Sequence, residues 1–146
     1  MKFNRYPRRD PIKNYFPLPN EIFCLGFCSG EFSVYSYLLC CENRKTYQCW
    51  PSYKTIGNAF NMSRNTVRKY VIMLEEKRFI TTENTNVFTK NGQKRNGNLR
   101  YTVRPIAEPI EYFHQCQFEK LAREQAIAKA KRRLEEYDRK RGYRAG

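Results

Sequence analysis

Residues 61–80 read NMSRNTVRKYVIMLEEKRFI, and the way this stretch folds decides the rest. Val67, Tyr70, Val71 and Leu74 recur at spacings of three and four, which sets them on one face of an α-helix. Arg64, Asn65, Arg68, Lys69 and Ile72 fall on the opposite face, with Thr66 at the flank. Ser63 stands where a side-chain oxygen caps the first free amides of such a helix. The reading is a helix over 64–78 whose apolar edge faces a core. Its hydrogen-bond donors are left facing outward, and they need a partner.

Working toward the N-terminus, Asn61-Met62-Ser63 makes a short link, because Asn tolerates the left-handed backbone that a tight turn between helices demands. Before it, PSYKTIGNAF (51–60) has Ser52 as a cap and Tyr53, Ile56 and Phe60 at helical spacing. Two short helices joined by a three-residue turn are a helix-turn-helix. Further upstream, SGEFSVYSYLLCCEN (29–43) repeats Phe32, Tyr35, Leu38 and Leu39 as a core helix starting at Ser29 or Gly30. NEIFCLGF (20–27) reads as a short helical segment and RKTYQCW (44–50) as a short strand.

Toward the C-terminus the period changes. FITTENTNVFTK (79–90) is rich in Thr, Val, Phe and Ile and suits a strand. Asn91-Gly92 and Asn96-Gly97 are turn signals. LRYTVRP (99–105) alternates Leu99, Tyr101 and Val103 inward with Arg100, Thr102 and Arg104 outward. The expectation is a β-hairpin wing over 79–104 with a basic tip of Lys90, Lys94 and Arg95. Residues 110–141 contain no Gly or Pro and are rich in helix formers, so one long helix ends near Gly142. Ile127, Ala130, Leu134 and Tyr137 repeat along it at spacings of three and four.

The expected fold class is therefore mainly α with a β-hairpin wing: a winged helix-turn-helix with a long C-terminal helix. The expected organisation is a basic, proline-broken arm over 1–18, a DNA-binding domain over 19–106, and a long basic helix over 107–146 open to two readings: a solvated helix that docks its Phe113, Phe118 and Leu121 end on the body, or an element that pairs two copies as a homodimer.

Charge points the same way. The 146-residue chain carries a formal net charge of +14, and residues 61–106 hold ten Lys and Arg against three Asp and Glu. Such a surplus attracts polyanions, nucleic acid first and an anionic membrane surface second. No stretch approaches the roughly 18 apolar residues of a membrane span, and the N-terminus lacks the apolar run of a secretory signal. The expected location is cytoplasmic. There the six cysteines are reduced, and Cys24-x3-Cys28, adjacent Cys40-Cys41, Cys49 and Cys116 do not make the paired spacing of a structural zinc site. No metal or other cofactor is expected. The lone His114 has no nucleophile or carboxylate at a motif spacing, and no glycine-rich phosphate loop is present, so an enzyme is not expected.

The major groove of duplex DNA admits one α-helix; Arg or Lys bonds guanine there and Asn bonds adenine. In a helix-turn-helix the first residues of the second helix meet the base edges. That gives Arg64, Asn65, Thr66, Arg68 and Lys69 as the residues facing bases, with Ser63, the cap, included in the DNA-binding set. Ser52, Tyr53 and Lys54, together with Lys90, Lys94, Arg95 and Arg100 of the wing, are placed for backbone phosphates. The alternative partner is an acidic protein or RNA bound through the basic C-terminal helix.

PSYKTIG (51–57), MSRNTVRKYV (62–71), LEEKRFI (74–80) and GNLRYTVRP (97–105) resemble a winged helix-turn-helix family of Gram-positive bacteria and their mobile elements. It includes plasmid replication-initiator-like proteins and small regulators of conjugative elements and phages, and the resemblance covers residues 17–106. It implies that 64–77 is the recognition helix and that the hairpin holding NGNLRY is the wing. The residue before Phe79, often Gly in this family, is Arg78 here. Residues 107–146 do not supply the second domain of a full initiator. The resemblance thus implies a transcriptional regulator or a replication accessory factor of a mobile element.

Overall fold

A computed structural model describes residues 15–142. The basic arm expected over 1–18 falls mostly outside the described residues; Tyr15–Pro19 have no regular secondary structure. A 3-10 turn covers Asn20–Cys24. Helix α1 covers Ser29–Cys41, strand β1 Gln48–Cys49, helix α2 Tyr53–Phe60 and helix α3 Arg64–Glu76. Strands β2 (Ile80–Glu83), β3 (Asn86–Phe88), β4 (Lys94–Asn96) and β5 (Arg100–Val103) follow, then helix α4 (Ala107–Lys140). The chain divides into two compact units, residues 1–110 and 111–146.

The core of the first unit is made by the residues that the periodicity picks out. Val34, Tyr35 and Leu38 of α1, Ile56 of α2, and Val67, Val71 and Leu74 of α3 are buried together with Phe79, Ile80, Tyr101 and Val103. Removing each such side chain from water contributes roughly 1.5–3 kcal/mol, which is what holds three short helices against a small sheet. Phe27, Tyr35 and Phe79 stack as an aromatic cluster, Phe27 and Phe79 at 4.4 Å between centroids. Glu31 is 2% exposed in the first turn of α1, and its Oε2 accepts a hydrogen bond from Lys77 Nζ at 2.7 Å. That ion pair ties the start of α1 to the end of α3. The N-cap of α1 is Cys28, whose sulfur accepts the Glu31 amide at 3.5 Å.

Helix α3 stops at Glu76, two residues before the end expected from the sequence. Arg78 adopts a left-handed φ of 66°, and the amides of Lys77, Arg78 and Phe79 bond back to the Met73, Glu75 and Leu74 carbonyls. Such a left-handed residue closes a helix, and glycine most often fills the position. The place where the resembling family often has Gly is thus a backbone requirement that Arg78 meets here under strain.

The wing also departs from one uninterrupted hairpin. β5 lies between β1 and β2 in a three-stranded antiparallel sheet, with Ile80 opposite Val103 and Gln48 opposite Thr102. β3 and β4 form a separate outer ribbon, Asn86 opposite Asn96 and Phe88 opposite Lys94. Asn91-Gly92 does form the turn, with Gly92 at φ 77°. Asn96-Gly97 does not turn: Asn96 ends β4, and the Gly97 amide bonds to the Thr85 carbonyl at 2.7 Å. A Cβ on Gly97 would sit 2.6 Å from Thr85 Oγ1, so the glycine there serves the close approach of two strands.

These elements are a winged helix-turn-helix followed by a long helix. Among the described residues, no helix is long and apolar enough to cross a membrane.

Candidate nucleic-acid interface

The site is set by the α2–α3 corner. Ser52 caps α2 by accepting the Thr55 amide at 3.1 Å, and Ser63 caps α3 by accepting the Thr66 amide at 3.2 Å. Asn61 takes the left-handed conformation expected of it, φ 54° and ψ 40°. The Met62 amide then bonds to the Gly57 carbonyl at 2.9 Å, and a Cβ on Gly57 would lie 2.4 Å from the Met62 carbonyl oxygen. Only a residue without a side chain lets the turn fold this tightly over α2.

Burying Val67, Val71 and Leu74 dictates the other face, because a helix advances 100° per residue. Arg64, Asn65, Arg68, Lys69 and Ile72 are all exposed. Asn65, Arg68, Lys69, Ile72, Met73 and Glu76 line an open groove of about 490 Å³ along α3. Thr66 is half-buried; its hydroxyl and that of Ser63 are 2.8 Å apart, so both are engaged in the cap. Lys69 Nζ lies over the Tyr70 ring, 5.7 Å from its centroid.

At the start of α2, Ser52 and Tyr53 line a hollow of about 180 Å³ with Gly97, Asn98 and Leu99 at the base of the wing. The structure therefore brings the α2 N-terminus and the wing base together. Desolvation raises the Tyr53 phenol, while the positive charge of Arg68 opposes the shift. Lys54 is exposed, as are Lys90 at the turn and Lys94 and Arg95 on β4. Arg100 is placed differently from the rest of the expected set: it is half-buried on β5 and ion-paired with Glu83.

Sequence reasoning did not single out every residue of this surface. Met73 and Glu76 share the α3 groove with Ile72, which the sequence already sets on that face, and their i+8 spacing from Asn65 and Arg68 is the signal for them. Asn98 donates to the Trp50 carbonyl at 3.2 Å and anchors the wing base. Val87 and Phe88 stand exposed on the outer ribbon, where strand composition alone gives no hint of a free apolar edge. Among the described residues no group of His, Cys, Asp and Glu is arranged to hold a metal ion, and the cysteines are free. Burial, helped by Cys41 and Glu42, pushes the Cys49 thiol up to about 12.

A domain of the helix-turn-helix class is thus defined by geometry, and residues 29–80 match a protein family described as "Helix-turn-helix domain". The chain is also similar to a solved structure described as "Possible transcriptional regulator from Methanosarcina mazei Go1", with 19% identity, 73% of this chain and 83% of that chain covered, and a TM-score of 0.48. No curated protein matches the chain.

Proposed function

We propose that this protein binds double-stranded DNA sequence-specifically, with α3 in the major groove and the wing on the adjacent groove or its phosphates. One observation carries the reading: α3 buries Val67, Val71 and Leu74, leaves Arg64 exposed, and lines an open groove with Asn65, Arg68 and Lys69, directly after a capped turn. Arg68 suits guanine and Asn65 suits adenine. Ile72 adds an apolar contact of the kind a thymine methyl accepts. Ser52, Tyr53 and Lys54, with Lys90, Lys94 and Arg95, hold the register on phosphates. Arg100 acts through the fold, since Glu83 holds it.

The biological role that fits is a transcriptional regulator or replication accessory factor of a mobile element, supported by the resemblance of residues 17–106. Pairing of two copies through residues 107–146 belongs to the same proposal. Ile127, Leu134 and Tyr137 are exposed on α4 at helical spacing, and a symmetric pair of readers matches a palindromic site.

The test is selection of a site from random duplex DNA, followed by a salt titration. The four cations on phosphate, Lys54, Lys90, Lys94 and Arg95, give a log–log slope of roughly −3 to −4 per protomer. A slope near zero, or no enriched sequence, overturns the reading. Deleting residues 120–146 separates it from binding of RNA or an acidic protein by α4. DNA-binding protomers keep their half-site preference after the deletion, whereas an α4 module loses all nucleic-acid affinity.

A further inference from the structure

An apolar cavity of about 290 Å³ opens between the end of α1 and the end of β5. Tyr35 and Leu39 of α1, Tyr47 before β1, Val103 of β5 and Ile106 form its apolar wall, and Glu42 also lines it. Glu42 is the only acidic residue in that lining, and its Oε2 is buried with no hydrogen-bond partner. Glu42 as a whole is half-buried, and a carboxylate oxygen that is out of reach of solvent and unpaired favours the arrival of a cation or donor. Among the described residues, the arginine on the rim and the one that acts on Glu42 both have other partners. Arg104, on the rim, donates from Nε and a terminal nitrogen to both carboxylate oxygens of Glu108, at 2.8 and 2.6 Å. Arg44 acts on Glu42 only as a nearby charge and donates to the Tyr15 carbonyl at 3.4 Å. Desolvation raises the Glu42 carboxyl above its ordinary value despite Arg44.

The backbone beside the cavity is strained as well. Tyr47 is a non-glycine residue at φ 59°, held there by its amide on the Asn43 carbonyl at 2.6 Å and its carbonyl accepting the Val103 amide at 2.9 Å. Strain of this kind persists where the surrounding structure fixes a residue in place, and it concentrates at ligand clamps.

We propose that this cavity is a binding site for a small organic ammonium ion, a primary amine carrying a compact aromatic or aliphatic body. The apolar wall takes the body and Glu42 takes the charged head. An anion is repelled by Glu42, and a neutral apolar molecule leaves the orphan oxygen unpaired. The proposal does not depend on DNA binding, and its test uses none.

The full chain is titrated at pH 7 with phenethylammonium, 2-phenylethanol and phenylacetate, followed by thermal unfolding and by amide chemical shifts of Tyr35, Leu39, Tyr47 and Val103. Phenethylammonium at millimolar concentration raises the melting temperature and moves those four amides; the alcohol, which donates one hydrogen bond but carries no charge, acts at least tenfold more weakly, and the acid does neither. Glu42→Gln keeps the fold and weakens the amine at least tenfold; Leu39→Phe, which narrows the cavity with the carboxylate intact, weakens it too. Equal effects of amine and alcohol, undiminished amine binding by Glu42→Gln, or no shift of the four amides overturns the proposal.

Discussion

At the scale of single residues, the proposed DNA contacts divide the exposed side chains into two kinds, those for base edges and those for phosphates. Arg68 and Asn65 line the α3 groove, whereas Lys94 stands exposed on the outer ribbon of the wing. Arg68→Ala and Asn65→Ala are expected to lose about 1–3 kcal/mol on the selected site and to relax base preference at one position each. Lys94→Ala weakens binding uniformly across sequences and lowers the salt slope by about one. Competition with single-base variants of the site checks this; identical behaviour of Arg68 and Lys94 on every probe contradicts it. Glu42 gives a prediction about stability. Its folded carboxyl titrates above the ordinary 4.5 because burial disfavours the charge. The native state therefore holds the proton more tightly than the unfolded chain does. Its contribution is present below about pH 4.5 and is lost as pH rises through the higher folded value. Glu42→Gln should melt above the parent at pH 7, with the difference vanishing as pH falls toward 4; a gap constant over pH 4–7 contradicts this.

At the scale of elements, the helix-turn-helix was the most legible part of the sequence. Ser52, Asn61 and Ser63 announce two caps and a left-handed turn, and all three take those roles. The alternation over Leu99–Val103 likewise marks β5. What the sequence hid came from contacts distant in the chain. Gly57 reads as an ordinary weak helix residue, yet its missing side chain is what the Met62 carbonyl requires. Gly57→Ala is therefore expected to destabilise by about 2–3 kcal/mol, although alanine favours helices, and to lower the urea midpoint; unchanged stability contradicts the tight corner. Asn96-Gly97 carries a strong turn signal that Thr85 overrides by drawing the Gly97 amide into a strand contact. The early stop of α3 comes from Arg78, a residue with no local preference for the left-handed backbone it adopts. In the candidate site, charge and helical period located the exposed basic face of α3. The pairing of Arg100 with Glu83 depends on strand register, which only the folded sheet reveals.

At the scale of the whole molecule, groove contact is proposed for residues 19–106 and pairing of protomers for residues 107–146. A net charge of +14 speeds encounter with any polyanion and so does not by itself distinguish a reader from a nonspecific binder. What distinguishes them is where on the duplex the protein touches. Methylation interference on the selected site tests this most directly, because one reagent marks guanine N7 in the major groove and adenine N3 in the minor groove. The account predicts that guanine N7 methylation within the half-site excludes DNA from the bound fraction, and that Arg68→Ala abolishes the exclusion at one guanine. Bound and free DNA carrying the same guanine N7 pattern would contradict the placement of α3 in the major groove.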